Sequence, residues 1–439
     1  MNRSSRLRSW QTLTLVVLFV GYVGYYICRS NVAVAAPIWL GEFEALGLTK
    51  TSLGWMQTVG VLMYALGKVV NGPAIDYVGG RRFFLLGMFG SAICTVGFVF
   101  LLRPAASTWG FAGLMSALIG LWGVNRYFQS IGWGAIVKIS SRWYPAAWMA
   151  TIMAILSLSF LLGDWGAKKY LGVLLGLGFN WQSLFYVAAG TLGTIGVLTF
   201  VLLRGSPADI GEAEPAADES NVYGREGEHA EVVSFRQLLL PLLASVNFWV
   251  ICALSLGLTM IRETFQFWLP TYLYEVAQLN ESQAAQNAAW FPFVGAAVAL
   301  LAGLSSDLIG KKHGRIMVPL LIGLIGALVA MGVTPLQGRA ELVVGLTCLV
   351  SALLIAPYTF CAGVMAVDLG GKKGSSTAAG LIDAAGYIGA ALSGVGIGAL
   401  ADRYGWPSAF LALAVVAGLT TIAAIVYWVR NDFLQRVSL

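Results

Sequence analysis

The sequence predicts an all-α membrane protein, and three observations carry that prediction. Of its 439 residues, 58% are hydrophobic and only 11% are charged, where a soluble domain carries about 25% charged residues. Apolar runs long enough to cross a bilayer core of about 30 Å as a helix recur along the whole chain. The 53 glycines suit helices that must approach one another closely in lipid. A water-soluble enzyme is excluded by this composition. Cys28, Cys94, Cys252, Cys348 and Cys361 are scattered and form no CxxC pair, which argues against a disulfide framework or a zinc ribbon. His229 and His313 fall in polar connectors. No metal centre, no cofactor and no nucleophile–base pair is expected, so the chain is not read as an enzyme.

Twelve runs stand out in order. Those of the first half lie near 11–39, 51–74, 83–102, 109–137, 147–176 and 182–203. Those of the second lie near 244–274, 288–306, 316–336, 341–367, 376–400 and 407–429. A cleaved signal peptide is the alternative for the first run, but Arg29 inside it and eleven further spans argue against that. Lys and Arg concentrate at the N-terminus and in alternate connectors, at Arg3, Arg6, Arg8, Arg81, Arg82, Arg142 and Lys311 among others. The opposite loops hold Lys50, Arg103, Arg339 and Arg403. The positive-inside bias therefore predicts both termini on the cytoplasmic side of a plasma or inner membrane. The net charge of +6 is that bias and requires no nucleic acid.

The acidic stretch near 204–243, with Asp209, Glu212, Glu214, Asp218 and Glu219, lacks the apolar surface to fold and reads as a cytoplasmic linker. It predicts an N-terminal six-helix bundle over 1–203 and a C-terminal one over 244–439. The halves echo each other: DYVGGRR (Asp76 to Arg82) follows span two and DLIGKKHGR (Asp307 to Arg315) follows span eight. Repeated at equivalent places, the pattern indicates an internal duplication, as in the major facilitator fold of twelve transmembrane helices in two six-helix bundles. Asp76, Arg82, Asp307 and Arg315 are expected to latch conformations.

Charges buried in spans are costly and rarely kept without use. Arg29, Lys68, Arg126 and Arg262 lie within spans one, two, four and seven, and Lys168 and Lys169 lie in span five. Only Asp164, Glu263 and Asp383 oppose them, so the interior invites an anion. Spans one and seven are equivalent in the two halves, which predicts Arg29 and Arg262 facing each other across the pseudo-twofold axis. Two guanidiniums so placed clamp a tetrahedral oxyanion through paired N–H donors. The alternative is that each pairs with an acid of its own half, Asp164 or Glu263. Glu263 directly follows Arg262, about 100° around the helix, and is expected on a different face. Tyr22, Tyr26 and Arg29 form one stripe, Tyr64 and Lys68 a second, and Asn125 and Gln129 a third, with Trp133 nearby. These stripes read as cavity lining, and Tyr25 as packing.

The segments GYVGYYICRSNVAVAAP (from Gly21), YALGKVVNGPAID (from Tyr64), NRYFQSIGW (from Asn125), RGSPADIG (from Arg204), RETFQFWLPTYL (from Arg262) and TAAGLIDAAGYIGA (from Thr377) resemble the organophosphate:phosphate antiporters. That group includes the bacterial glycerol-3-phosphate and hexose-phosphate transporters. The resemblance implies that Arg29 and Arg262 bind a phosphoryl group and that Lys68 adds a third positive charge. It implies a cavity lined by Tyr22, Tyr26, Tyr64, Trp133, Tyr358 and Tyr387, and exchange of an organophosphate for inorganic phosphate. The chain departs from the glycerol-3-phosphate carriers at Ser30, which stands for a lysine, and at Ser159, a candidate ligand standing for a histidine. Asp383 on span eleven departs as well. In this fold span eleven neighbours span two, so Asp383 is expected to pair with Lys68 in one state and gate the cavity. Asp164 and Glu263 are further gate candidates.

The expected partners are a small organophosphate, inorganic phosphate and the lipid bilayer, with the protein a monomer. Two other functions share these features. One is a sugar-phosphate sensor acting on a membrane histidine kinase. The other is a proton-coupled organic-anion symporter using Asp164, Glu263 or Asp383.

Overall fold

The computed structural model describes residues 3–144, 146–213, 243–308, 313–362 and 364–433. Among them there is no strand. Helices α1 (Arg3–Glu42), α2 (Lys50–Val78), α3 (Gly80–Trp143), α4 (Ala146–Gly176) and α5 (Trp181–Leu202) come first. Then follow α6 (Val246–Glu275), the short α7 (Glu281–Ala288), α8 (Trp290–Leu308), α9 (His313–Val333), α10 (Ala340–Ala362) and α11 (Val364–Tyr427). By contact the chain forms two compact units, Met1–Asp218 with Leu279–Ala289, and Glu219–Gln278 with Trp290–Leu439.

Two helical runs, α3 and α11, hold 64 residues each, about 96 Å if straight, which is far more than one crossing needs. Each is broken by a glycine in a conformation that a side chain resists. Gly110 has φ 57° and ψ −142° within α3, and Gly405 has φ 78° within α11, one residue before Trp406-Pro407. The two arms of α3 then pack on one another. A Cβ at Gly87 would sit 2.9 Å from the Phe128 carbonyl oxygen, and Ser91 Oγ donates to Asn125 Oδ1 at 2.9 Å. Counting two crossings in each long run and setting aside α7, the helices match the twelve spans of the sequence.

In the first unit α1 packs on α4 and α5, α2 on α3, and α3 on α5. The segment carrying α7 follows α6 in the chain yet clusters with this unit, and Ser282 Oγ on it donates to the Gly172 carbonyl of α4 at 2.6 Å. In the second unit α6 and α9 pack on α11, and α8 and α9 on α10. The polar stretch after α5 opens with folded residues: Pro207–Ile210 form a 3-10 turn closed by a capping box between Ser206 and Asp209. Arg204 anchors it, with its carbonyl accepting from Trp143 Nε1 at 3.0 Å. Residues 214–242 lie outside the described set.

The duplication is visible at one end of each unit. Glu42 closes α1 and accepts from Trp181 Nε1, at the start of α5, at 2.5 Å. Glu275 closes α6 and accepts from Trp406 Nε1 at 2.6 Å. Trp39, three residues before Glu42, meets the Phe185 ring at 5.6 Å. Tyr272, three before Glu275, meets Phe410 at 4.8 Å.

Candidate functional site

The stripe Tyr22, Tyr26 and Arg29 on α1 follows from its i, i+4, i+7 spacing, and it meets α2 and α3 inside the first unit. Arg29 donates from Nε to Gln129 Oε1 at 2.9 Å and from Nη1 to the Tyr26 hydroxyl at 2.9 Å. Its guanidinium lies 4.8 Å from the centroids of both the Tyr26 and Tyr64 rings. Among the described residues no carboxylate pairs with it. Gln129 is aimed from behind. Its amide nitrogen donates to Asn125 Oδ1 at 2.6 Å and to the Cys28 carbonyl at 3.0 Å, which leaves its oxygen for Arg29. Asn125 in turn donates to Thr95 Oγ1 at 3.3 Å. Asn125 and Gln129, expected to line a cavity, are thus buried supports that hold an arginine in position.

Tyr64 is the hub. Besides Arg29, Lys68 Nζ lies 5.3 Å and the Arg126 guanidinium 4.6 Å from its centroid. A tyrosine face attracts cations electrostatically, and this one gathers three side chains of like charge. Tyr22 extends the aromatic wall, 5.7 Å from Tyr26 and 5.7 Å from Trp133, across Gly132, where a Cβ would meet the Tyr22 ring at 2.9 Å. Tyr25 packs as expected, its hydroxyl on the Phe84 carbonyl at 2.7 Å.

Two candidates of this unit stand elsewhere. Ser159 is buried and its hydroxyl donates to the Leu156 carbonyl of its own helix. Asp164 accepts from Ser30 Oγ at 2.6 Å and from Lys168 Nζ at 2.8 Å. Lys168 is fully buried and Asp164 nearly so. These contacts tie α1 to α4 through Ser30.

In the second unit Arg262 on α6 stacks 4.6 Å from the Tyr358 ring of α10 and donates to Gln266 Oε1 at 3.1 Å. It also forms an ion pair with Glu263, against the expectation that adjacent residues point apart. The Cβ directions do differ by about 100°, but the two long side chains bend together into largely buried space. Asp383 and Tyr387 lie one turn apart on α11, both half-buried.

At the helix connectors, Arg82 and Arg315 are described, and Arg315 is exposed at the start of α9. The side chains of Asp76 and Asp307 lie outside the described residues. The neighbour Arg81, not singled out from sequence, ties α3 to α5, with Nη2 on the Phe200 carbonyl at 2.7 Å and its guanidinium 5.3 Å from that ring. Arg126 was seen in the sequence as a charged span residue without a place in the site. The signal that could have placed it was its position one turn before Gln129 in a stripe read as cavity lining.

A helical membrane protein of duplicated halves with cations held on aromatic faces is the architecture of a carrier for small anions. Residues 18–394 match the Major Facilitator Superfamily, and the chain belongs to it. The chain is 26% identical over 416 residues, 94% of its length and 90% of the relative's, to a glycerol-3-phosphate transporter of Bacillus subtilis. It is 24% identical over 444 residues, 96% and 92% of the two chains, to a probable hexose phosphate transport protein of Chlamydia trachomatis. These relatives bear out the resemblance read from the motifs. The fold is similar to that of a bacterial homologue of the human lysosomal transporter Spinster, a structure solved in an inward-facing and unoccupied conformation, with TM-score 0.69 at 15% identity over 97% of this chain and 98% of that one.

Proposed function

We propose that the protein carries a phosphorylated organic anion across the inner membrane in exchange for inorganic phosphate, by alternating access. Both termini face the cytoplasm in this reading, and the working unit is a monomer. Arg29 and Arg262 bind the phosphoryl group, Lys68 adds charge, and Tyr22, Tyr26, Tyr64, Trp133, Tyr358 and Tyr387 line the path. Asp383 acts as a gate. The observation that carries this reading is Arg29: half-buried among neutral partners, Gln129 and Tyr26, it keeps its full charge for a ligand. An empty site of clustered cations resists closing, and a bound anion relieves the repulsion. Rocking is then cheap only when loaded, which gives exchange without a coupling ion. The relatives, a glycerol-3-phosphate transporter and a probable hexose phosphate transport protein, support the same substrate chemistry.

The test is counterflow in vesicles reconstituted with the full chain and loaded with phosphate. Labelled external phosphate should enter only when internal phosphate is present and should be insensitive to an uncoupler. Uptake that collapses with the uncoupler would assign a proton symporter. Absence of any exchange, with ligand binding retained, would favour a sensor.

A further inference from the structure

We infer that Ser30, Asp164 and Lys168 form a register lock between α1 and α4 that sets where Arg29 meets an anion; this rests on the carrier reading above. Ser30 directly follows Arg29 in the chain, is 3% exposed, and donates from Oγ to Asp164 Oδ1 at 2.6 Å. The second carboxylate oxygen of Asp164 accepts from Lys168 Nζ at 2.8 Å, and Lys168 has no exposed surface. One turn earlier on α1 the two helices meet closely. A Cβ at Gly163 would lie 3.2 Å from Tyr26 Cβ and 3.2 Å from Val23 Cα. Helix α4 therefore grips α1 at two consecutive turns, by close packing at Tyr26 and by a charge-assisted hydrogen bond at Ser30.

Arg29 lies between those grips. Its Nη1 donates to the Tyr26 hydroxyl on its own helix and its Nε to Gln129 on α3, each at 2.9 Å. Both bonds hold together only while α1 keeps one rotation and one height against its neighbours. Apolar faces tolerate small slips, whereas a hydrogen bond to a carboxylate is directional and has one good geometry. Charges buried in a span are costly and rarely kept without use. A buried ion pair adds little stability over apolar packing, and fixing register is its best-attested role. Ser30, Asp164 and Lys168 are thus positioning residues, which act on the anion through Arg29.

The test reads half-saturation and saturating rate of phosphate exchange separately, with the full chain in phosphate-loaded vesicles. Ser30→Ala removes one hydroxyl and keeps the ion pair. It should raise the external phosphate needed for half-maximal exchange by about tenfold and leave the saturating rate nearly unchanged. Ser30→Thr keeps the hydroxyl and should keep the wild-type half-saturation. Gly163→Ala pushes on Tyr26 and Val23 and should shift half-saturation in the same direction as Ser30→Ala. Tyr144→Phe removes another buried hydroxyl bond of α1, to the Gln11 carbonyl at 2.6 Å, far from Arg29, and should leave half-saturation where it is. Unchanged half-saturation in Ser30→Ala overturns the lock. So does an effect confined to the saturating rate, as a gate or a loss of folded protein would give, and so does an equal shift in Tyr144→Phe. Should Ser30→Ala not assemble, Gly163→Ala decides on the same readout. Absence of exchange in the wild type would overturn the carrier reading, and the lock is then read from the thermal shift that inorganic phosphate gives the solubilised protein. A smaller shift in Ser30→Ala than in the wild type supports it, and equal shifts, including none, overturn it.

Discussion

The two units place an arginine at equivalent points of their first helices, and each treats its arginine differently. Arg29 sits between the neutral oxygens of Gln129 and Tyr26 with two tyrosine rings against it. Arg262 has one ring, Tyr358, and a carboxylate beside it in sequence, Glu263. A guanidinium held by neutral acceptors retains its net charge and attracts an anion, whereas one beside a carboxylate is already locally neutralised. On the proposed reading, a phosphoryl group would compete with Glu263 at Arg262 and with no described carboxylate at Arg29. Duplication preserved the scaffold closely, as the Glu42–Trp181 and Glu275–Trp406 caps show, while the charge environments of the sites diverged. Scaffold and site are under different constraints. The caps must satisfy buried polar groups at helix ends in both halves, whereas nothing requires the two arginines to share one environment.

The sharpest way to break this comparison is to remove the forked geometry from both arginines. Arg29→Lys and Arg262→Lys should each lower phosphate exchange roughly 100-fold or more, since lysine keeps the charge and loses the paired donors; initial rates in reconstituted vesicles measure it. Normal exchange in both variants would mean that neither arginine holds the phosphoryl group. Next in size is the buried tie of the first unit. Lys168→Met leaves Asp164 charged and buried, and it should cost about 3–5 kcal/mol of stability, with the double change Asp164→Asn, Lys168→Met recovering much of it. Melting in detergent reports this, and a single variant as stable as wild type would remove the tie from the account.

A smaller effect is expected at Asp383. Asp383→Asn should reduce turnover by roughly tenfold while changing the apparent affinity little, as suits a group acting on the rocking step rather than the bound state. A change in affinity alone would make Asp383 a ligand. Smallest is Glu263→Gln, which relieves Arg262 of its carboxylate and should tighten phosphate binding by about three- to tenfold. Competition for labelled phosphate measures it, and weaker binding would show that Glu263 supports Arg262 rather than competing for it.

Much of the fold was legible in the residues. The twelve apolar runs correspond to helices, and even the two continuous 64-residue helical runs divide near the breaks read from sequence, because Gly110 and Gly405 permit the turn. Tyr26, Arg29 and Gln129 could be grouped in advance because helical periodicity sets which side chains share a face. Ser159 and Asp164 could not be assigned in this way. A serine in a span either turns back on its own helix or faces a cavity, and an aspartate either pairs locally or gates, with the same sequence in each case. Arg81 shows the same limit: of two adjacent arginines in DYVGGRR, packing against Phe200 selected the first.

By itself the amino-acid order determined that this chain crosses a membrane repeatedly, that it is a duplicated structure, and that it buries more cations than acids within its spans. Those properties are sums over local composition and spacing, which a bilayer's thickness and dielectric translate directly. Tertiary structure decided which charge meets which partner: Asp164 with Lys168, Glu263 with Arg262, and Arg29, Lys68 and Arg126 on the single ring of Tyr64. Pairing depends on where long side chains end and which helices lie side by side, and neither distance is written in the spacing of residues along one helix.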